Sequence, residues 1–139
     1  MTPDIAVTDD IATCRRLRRI VFIEEQGVSE ADEIDDRDGA AIHLLARLGG
    51  EAVGSARLLL DGRTGKIGRV CVLRSHRGTG LGAALIRAAV QELRARGVKT
   101  AKLGAQTHAI GFYERLGFAP SGPEYMDAGI PHRDMTLPL

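Results

Sequence analysis

The sequence predicts an α/β (α+β) domain whose sheet is mixed but mostly antiparallel. Two observations carry this. Between Ile42 and Leu73, strand-like runs are separated by the turn pairs Gly49-Gly50 and Asp61-Gly62, the pattern of an antiparallel meander. A glycine-rich loop, an amphipathic helix and a further strand then follow. That order brings the last strand back parallel by a right-handed crossover. At 139 residues the chain reads as one domain, 1–139, long enough to bury roughly two-thirds of its unfolded surface.

Asp4 to Thr8 reads as a short edge strand. Thr8, Asp9 and Asp10 supply a cap for a helix that runs to about Gln26 and stops at Gly27. Cys14, Leu17, Ile20 and Val21 share one arc of it; Arg15, Arg16, Arg18 and Arg19 share the other, which reads as a solvated face. Glu24 to Asp38 then carries eight acids against Arg37, a net charge of −7. The rest of the chain therefore sums to +8. An acidic region of this kind suits a cationic amine or is a solvated loop; a basic one suits a diphosphate. A calcium loop fails, because aligning Gly39 with that loop's required glycine puts Ile34 and Leu45 at its first and last ligand positions.

Ile42–Leu48, Glu51–Leu60 and Lys66–Leu73 are the meander strands. Leu81, Leu85, Ala88, Ala89 and Leu93 form the buried stripe of the next helix, ended by Gly97. Lys99–Leu103 is a strand. Thr107–Leu116 is a short helix stopped by Gly117. Two strand-like segments flank Ala128-Gly129-Ile130-Pro131.

Composition excludes several classes. Net charge is +1, and five aromatics without Trp give little base-stacking surface, so no nucleic-acid partner is expected. Cys14 and Cys71 belong to no metal-type cluster and read as reduced thiols of a cytoplasmic protein. Met1-Thr2-Pro3-Asp4 has no signal-peptide character, and no apolar run approaches the ~20 residues of a membrane span. No metal and no membrane are expected.

The glycine loop is Arg77-Gly78-Thr79-Gly80-Leu81-Gly82-Ala83. Glycines let several N–H groups converge, and a helix N-terminus adds its unpaired donors and positive dipole end. Such a loop holds phosphate groups. Gly78, Gly80 and Ala83 fit the dinucleotide pattern G-x-G-x-x-A, which needs an acid on the following strand for the ribose. Val98-Lys99-Thr100-Ala101-Lys102-Leu103 has none. Arg77, Gly80 and Gly82 also fill the coenzyme A pattern Arg/Gln-x-x-Gly-x-Gly/Ala.

With a second signature, His108-Ala109-Ile110-Gly111-Phe112-Tyr113-Glu114-Arg115-Leu116-Gly117-Phe118, the chain resembles the GNAT superfamily of N-acetyltransferases over nearly its whole length. Val21-Phe22-Ile23-Glu24-Glu25-Gln26-Gly27-Val28, Glu33-Ile34-Asp35, Ala105-Gln106-Thr107-His108-Ala109 and Met126 to His132 narrow the resemblance to its ElaA/YjcF-like branch. Gly104 departs from the pattern: many relatives carry a polar residue such as Asn there.

The resemblance implies the GNAT fold, with six to seven strands splaying at the cofactor site and about four flanking helices. It implies acetyl transfer from acetyl-CoA to a primary amine by direct attack in a ternary complex. Gly78, Thr79, Gly80, Gly82 and Ala83, with Arg77 beside them, would grip the diphosphate. Val70, Cys71 and Val72 would pair with the pantetheine arm and supply an oxyanion donor. Tyr113 stands at the family's general-acid position. Cys71 itself reads as a small buried hydrophobe. Glu25, Asp35 and His132 are candidate substrate contacts or bases and His43 is a further candidate, although both histidines read more readily as structural residues. Two other readings share the motifs: a non-catalytic acyl-CoA-binding domain, and an autoinducer-synthase-like acyltransferase. The amine and the oligomeric state are not legible in the residues.

Overall fold

A computed structural model describes residues 2–139. Strand β1 (Asp4–Thr8) leads into α1 (Ile11–Arg18), which Asp10 caps by accepting from the Thr13 N–H at 3.2 Å and the Thr13 hydroxyl at 2.6 Å. Where one α-helix to Gln26 is expected, the helix changes pitch. Arg19–Glu25 is π-helical, and the chain leaves it at Gly27 with φ +73°. The wider turn re-aims the side chains after Arg18, a device common near functional sites. A short helix, α2 (Glu30–Glu33), sits inside the acidic stretch, capped by Ser29.

The meander follows as β2 (Ile42–Leu48), β3 (Glu51–Asp61) and β4 (Thr64–Val72). Then come α3 (Leu81–Ala95), β5 (Thr100–Gln106), α4 (Ile110–Arg115), β6 (Ala119–Asp127) and β7 (Ile130–Pro138). Seven strands form one sheet in the order β1-β2-β3-β4-β5-β7-β6. Every pairing is antiparallel except β4 with β5. This is the mixed, mostly antiparallel sheet that the sequence predicts, with four α-helices around it.

The sheet separates two apolar clusters, and strand alternation decides which residue joins which. Leu44, Ala46, Leu58, Ile67, Leu103 and Met135 pack with Leu85, Ile86, Ala89 and Leu93 of α3. On the opposite side, Leu45 and Cys71 pack with Cys14, Leu17 and Val21. Gly65 is required by this packing, since a Cβ there would lie 2.4 Å from a methyl of Leu93.

Two irregularities of β4 shape the centre of the sheet. Arg57 opposes Gly68 and Ser55 opposes Cys71, so Arg69 and Val70 together face Ala56 alone. That is a bulge, with Arg69 at φ +51°. Just before it β4 leaves β5: they pair only from Thr64 with Thr100 to Ile67 with Leu103, while β5 continues against β7 to Gln106. The strands splay from Gly68 onward.

Candidate active site

The splay opens into a cleft of about 300 Å³. One wall is β4 from Lys66 to Val70; the other is β5 at Leu103, Gly104 and Gln106. The π-helical segment contributes Phe22, and Gln26 follows it at the rim. Asp32 and Glu33 come from α2, Tyr113 from α4, and Tyr125, Asp127 and His132 from the last hairpin. Four separated stretches of chain therefore meet at one break in the sheet.

The glycine loop lies between the end of β4 and α3. Gly78 and Gly80 have φ of +76° and +86°, and a Cβ on either would touch nothing within 4 Å. Backbone direction, not packing, requires these glycines. The Thr79 hydroxyl donates to the His76 carbonyl at 2.7 Å and fixes the turn. The first N–H in this stretch with a backbone partner is that of Ala84, which bonds Gly80 O at 3.0 Å. The N–H groups from Gly78 to Ala83 have no protein partner among the described residues. These residues fit a diphosphate.

Arg77 is oriented differently from a simple phosphate contact. Its Nε and Nη2 donate to the Val72 carbonyl at 3.1 and 3.0 Å, and both terminal nitrogens reach the Glu25 carboxylate. The Arg77 hydrogen bond holds the Glu25 carboxyl below its ordinary range. Glu25, expected at the substrate side, is thus paired at the mouth of the phosphate loop.

Tyr113 lines the cleft, half-buried, with its ring edge-to-face against Phe112 at 5.1 Å and Phe118 at 6.2 Å. Burial raises its pKa, so the phenol keeps its proton at neutral pH. Val70 and His132 line the same cleft. The Nδ1–H of His132 donates to the Ile130 carbonyl at 2.7 Å, so in the neutral ring Nε2 is the acceptor nitrogen. The Cys71 thiol lies under the sheet, 3.3 Å from the Ser55 hydroxyl, and burial pushes its pKa up to about 11. It is a neutral packing group, as expected.

Asp35 is paired with Arg57 and does not line the cleft. Arg57 donates to both of its oxygens at 2.8 and 2.9 Å, and these bonds hold its pKa at about 2. It belongs to a buried ionic cluster that the sequence reading missed. Arg18, 2% exposed, donates to both oxygens of Asp38 at 2.9 and 2.7 Å. Its Nε lies 2.8 Å from Glu33 Oε1, at an angle that falls short of a hydrogen bond. Arg57 also reaches Asp38 at 3.1 Å, and Arg15 does so from the surface at 2.9 Å. His43 Nε2 lies 2.9 Å from the Asp38 carbonyl, so this histidine is part of the cluster and not of the cleft. Burial alone would raise the Asp38 pKa; the guanidinium bonds from Arg18 and Arg15 outweigh it and hold the carboxyl far below its ordinary range.

Two expectations are corrected here. The basic arc of the first helix is not uniformly solvated, and the acidic stretch is not wholly a solvated loop, because Glu33 and Asp38 are buried with Arg18 and Arg57, two charges of each sign. The visible signal was Arg57. It alternates with Ser55 on the β3 face that carries Cys71 and α1, a place where an unpaired charge could not remain. Arg69, also missed, ties the β4 bulge to α2 by donating to the carbonyls of Glu33 and Asp32 at 3.0 and 3.3 Å. The cluster thereby fixes the wall that α2 presents to the cleft. Among the described residues, no helix is long and apolar enough to cross a membrane.

Comparison with known proteins agrees with this geometry. The family model described as an acetyltransferase (GNAT) domain matches residues 21–139. A Bacillus subtilis (strain 168) protein provisionally named an acetyltransferase is 41% identical, over 95% of this chain and 92% of the relative. The uncharacterized N-acetyltransferase YjcF of the same organism is 37% identical over 86% of each chain. The crystal structure of Escherichia coli ElaA superposes with a TM-score of 0.87 at 28% identity, covering 98% of this chain and 99% of that one. The chain therefore belongs to the GNAT family of acetyltransferases, in its ElaA- and YjcF-like branch.

Proposed function

We propose that this acyltransferase, acting as a single unit of residues 1–139, moves the acetyl group of acetyl-CoA to a primary amine of a small molecule or peptide, by direct attack within a ternary complex. The observation that carries this reading is the coincidence of three features: the splay of β4 from β5, the donor-rich loop from Gly78 to Ala83 at the end of β4, and Tyr113 in the cleft between the strands. The splayed edge at Val70, Cys71 and Val72 suits the amide-rich pantetheine arm, which adds to it as an extra strand. The diphosphate sits on the loop N–H groups.

With the thioester carbonyl at the bulge, a β4 N–H stabilises the oxyanion as the amine attacks. The C–N bond forms, the C–S bond breaks, and the leaving thiolate takes its proton from the Tyr113 phenol, which burial keeps protonated. Glu25 and Asp35, engaged by Arg77 and Arg57, act in this reading as positioning groups of the site walls. His132, oriented by its Nδ1–H bond to the Ile130 carbonyl, is the cleft's candidate to accept the amine's proton at Nε2. The test is thiol release from acetyl-CoA across a panel of primary amines, with calorimetry against acetyl-CoA and NADH. Amine-dependent release supports the reading. Binding of NADH without binding of acetyl-CoA overturns it.

A further inference from the structure

The β5–β7–β6 side of the cleft carries a unit of which the reaction as described uses only His132. Gly104 on β5 opposes Asp134 on β7, and His132 on β7 opposes Tyr125 on β6. Strand alternation puts Gly104, His132, Asp134 and Tyr125 on one face, opposite the buried side chains of Leu103 and Ala105. The Tyr125 hydroxyl crosses β7 and donates to Asp134 Oδ1 at 2.8 Å. It comes to rest over Gly104, where a Cβ would lie only 2.4 Å from it. The absent side chain at 104 is thus the space that the phenol fills. The ring is held by stacking on His132, with centroids 5.9 Å apart and planes at 21°. Asp134 is itself anchored by Lys102 Nζ at 3.5 Å.

A phenol has one proton to donate. Here Asp134 takes it, so toward the cleft the Tyr125 oxygen offers only lone pairs, enriched by the carboxylate behind it. In its neutral form His132 offers a second acceptor, Nε2, because its Nδ1–H is spent on Ile130. Two adjacent groups therefore present acceptors and no proton. Their natural complement is an N–H-bearing group.

We propose that Tyr125, oriented by Asp134 and accommodated by Gly104, is a binding contact for the acceptor amine and sets where its nitrogen lies. The proposal rests on the amine-transfer reading above. It differs from that reading in naming the residue that recognises the acceptor, and it makes Gly104 part of the acceptor site. Tyr125 takes no part in breaking the thioester.

The experiment compares the parent, Tyr125→Phe, Gly104→Ala and the double variant. Thiol release from acetyl-CoA is measured with ethanolamine, putrescine, lysine and a short peptide with a free N-terminus. On an accepted amine, Tyr125→Phe should raise the amine KM by about tenfold, the value of one good hydrogen bond, with kcat within about threefold and acetyl-CoA KM unchanged. Gly104→Ala should match it, because the new methyl evicts the hydroxyl. The double variant should lose no more than either single change and should recover the thermal stability that Gly104→Ala loses, since Phe leaves room for the methyl. An unchanged amine KM in folded Tyr125→Phe overturns the contact while leaving amine transfer intact. Additive losses in the double variant overturn the role of Gly104. No release by the parent on any of these amines overturns the contact together with the reading beneath it.

Discussion

Arg77, the first residue of the phosphate loop, is bound to Glu25, the last residue of the π-helical segment, by both of its terminal guanidinium nitrogens. The same guanidinium caps the carbonyl of Val72 at the end of the splayed strand. One side chain thus joins the glycine loop, the splayed strand and the π-helical segment that borders the cleft.

That junction separates two contributions to coenzyme binding. Arg77→Ala removes a positive charge and the tie to Val72, and should weaken acetyl-CoA binding by about tenfold. Gly80→Asp should weaken it further, because the residue sits at φ +86° and the new carboxylate faces the phosphates. Glu25→Gln removes the competitor for the guanidinium and should not weaken binding at all. Calorimetry on folded variants checks all three. Parent-like affinity in both Arg77→Ala and Gly80→Asp would move the phosphate site elsewhere.

The Arg18–Asp38 pair lies wholly inside the protein, and breaking it should be costly. Asp38→Asn leaves the Arg18 and Arg57 charges short of a partner where water cannot reach them. A loss of about 3–5 kcal/mol in a urea melt is expected. A loss below about 1 kcal/mol would mean that the cluster is not holding α2 in place.

Acid should undo the same cluster. The Asp35 and Asp38 carboxyls are held below their ordinary range in the folded protein, Asp35 at about 2. A lowered folded pKa contributes stability that is complete above the unfolded value near 4 and is lost as pH falls toward the folded value. Stability should therefore hold on this account from pH 7 to about 5, then fall between about pH 4 and 2, with Asp35 contributing on the order of 2 kcal/mol. Asp35→Asn should flatten that fall. Urea midpoints measured across the range check it, and an equally steep fall in Asp35→Asn would contradict it.

Much of this architecture is legible in the residues. The meander, the glycine loop and the short helix after β5 rest on local signals: alternation, turn pairs and helix stops. Those signals do not depend on what lies across the sheet. The π-helical turn does depend on it. Arg19–Glu25 has an ordinary helical pattern, and nothing in its residues marks the wider turn that follows the buried Arg18. Arg18, the Glu33–Asp38 stretch and Arg57 are far apart in sequence, and Arg18, Glu33 and Asp38 each taken alone read as surface charges. Their pairing becomes visible only when β3 and α1 face each other. Gly104 shows the same limit. Its lack of a side chain reads as a lost contact, and only the register of β5, β7 and β6 shows that Tyr125 occupies the space.

In the proposed reaction Tyr113 is the proton donor for acetyl-CoA chemistry at the splayed strands. The most direct test is turnover by Tyr113→Phe, on an amine that the parent acetylates, beside the affinity of both proteins for acetyl-CoA. The change keeps the ring that packs on Phe112 and Phe118 and removes only the hydroxyl. Turnover should fall by roughly 10- to 1,000-fold with acetyl-CoA affinity unchanged. The loss should shrink with a thioester whose leaving thiol is a weaker base and so needs the proton less. Full turnover by the folded variant would contradict the claim and leave solvent or His132 as the source of the proton.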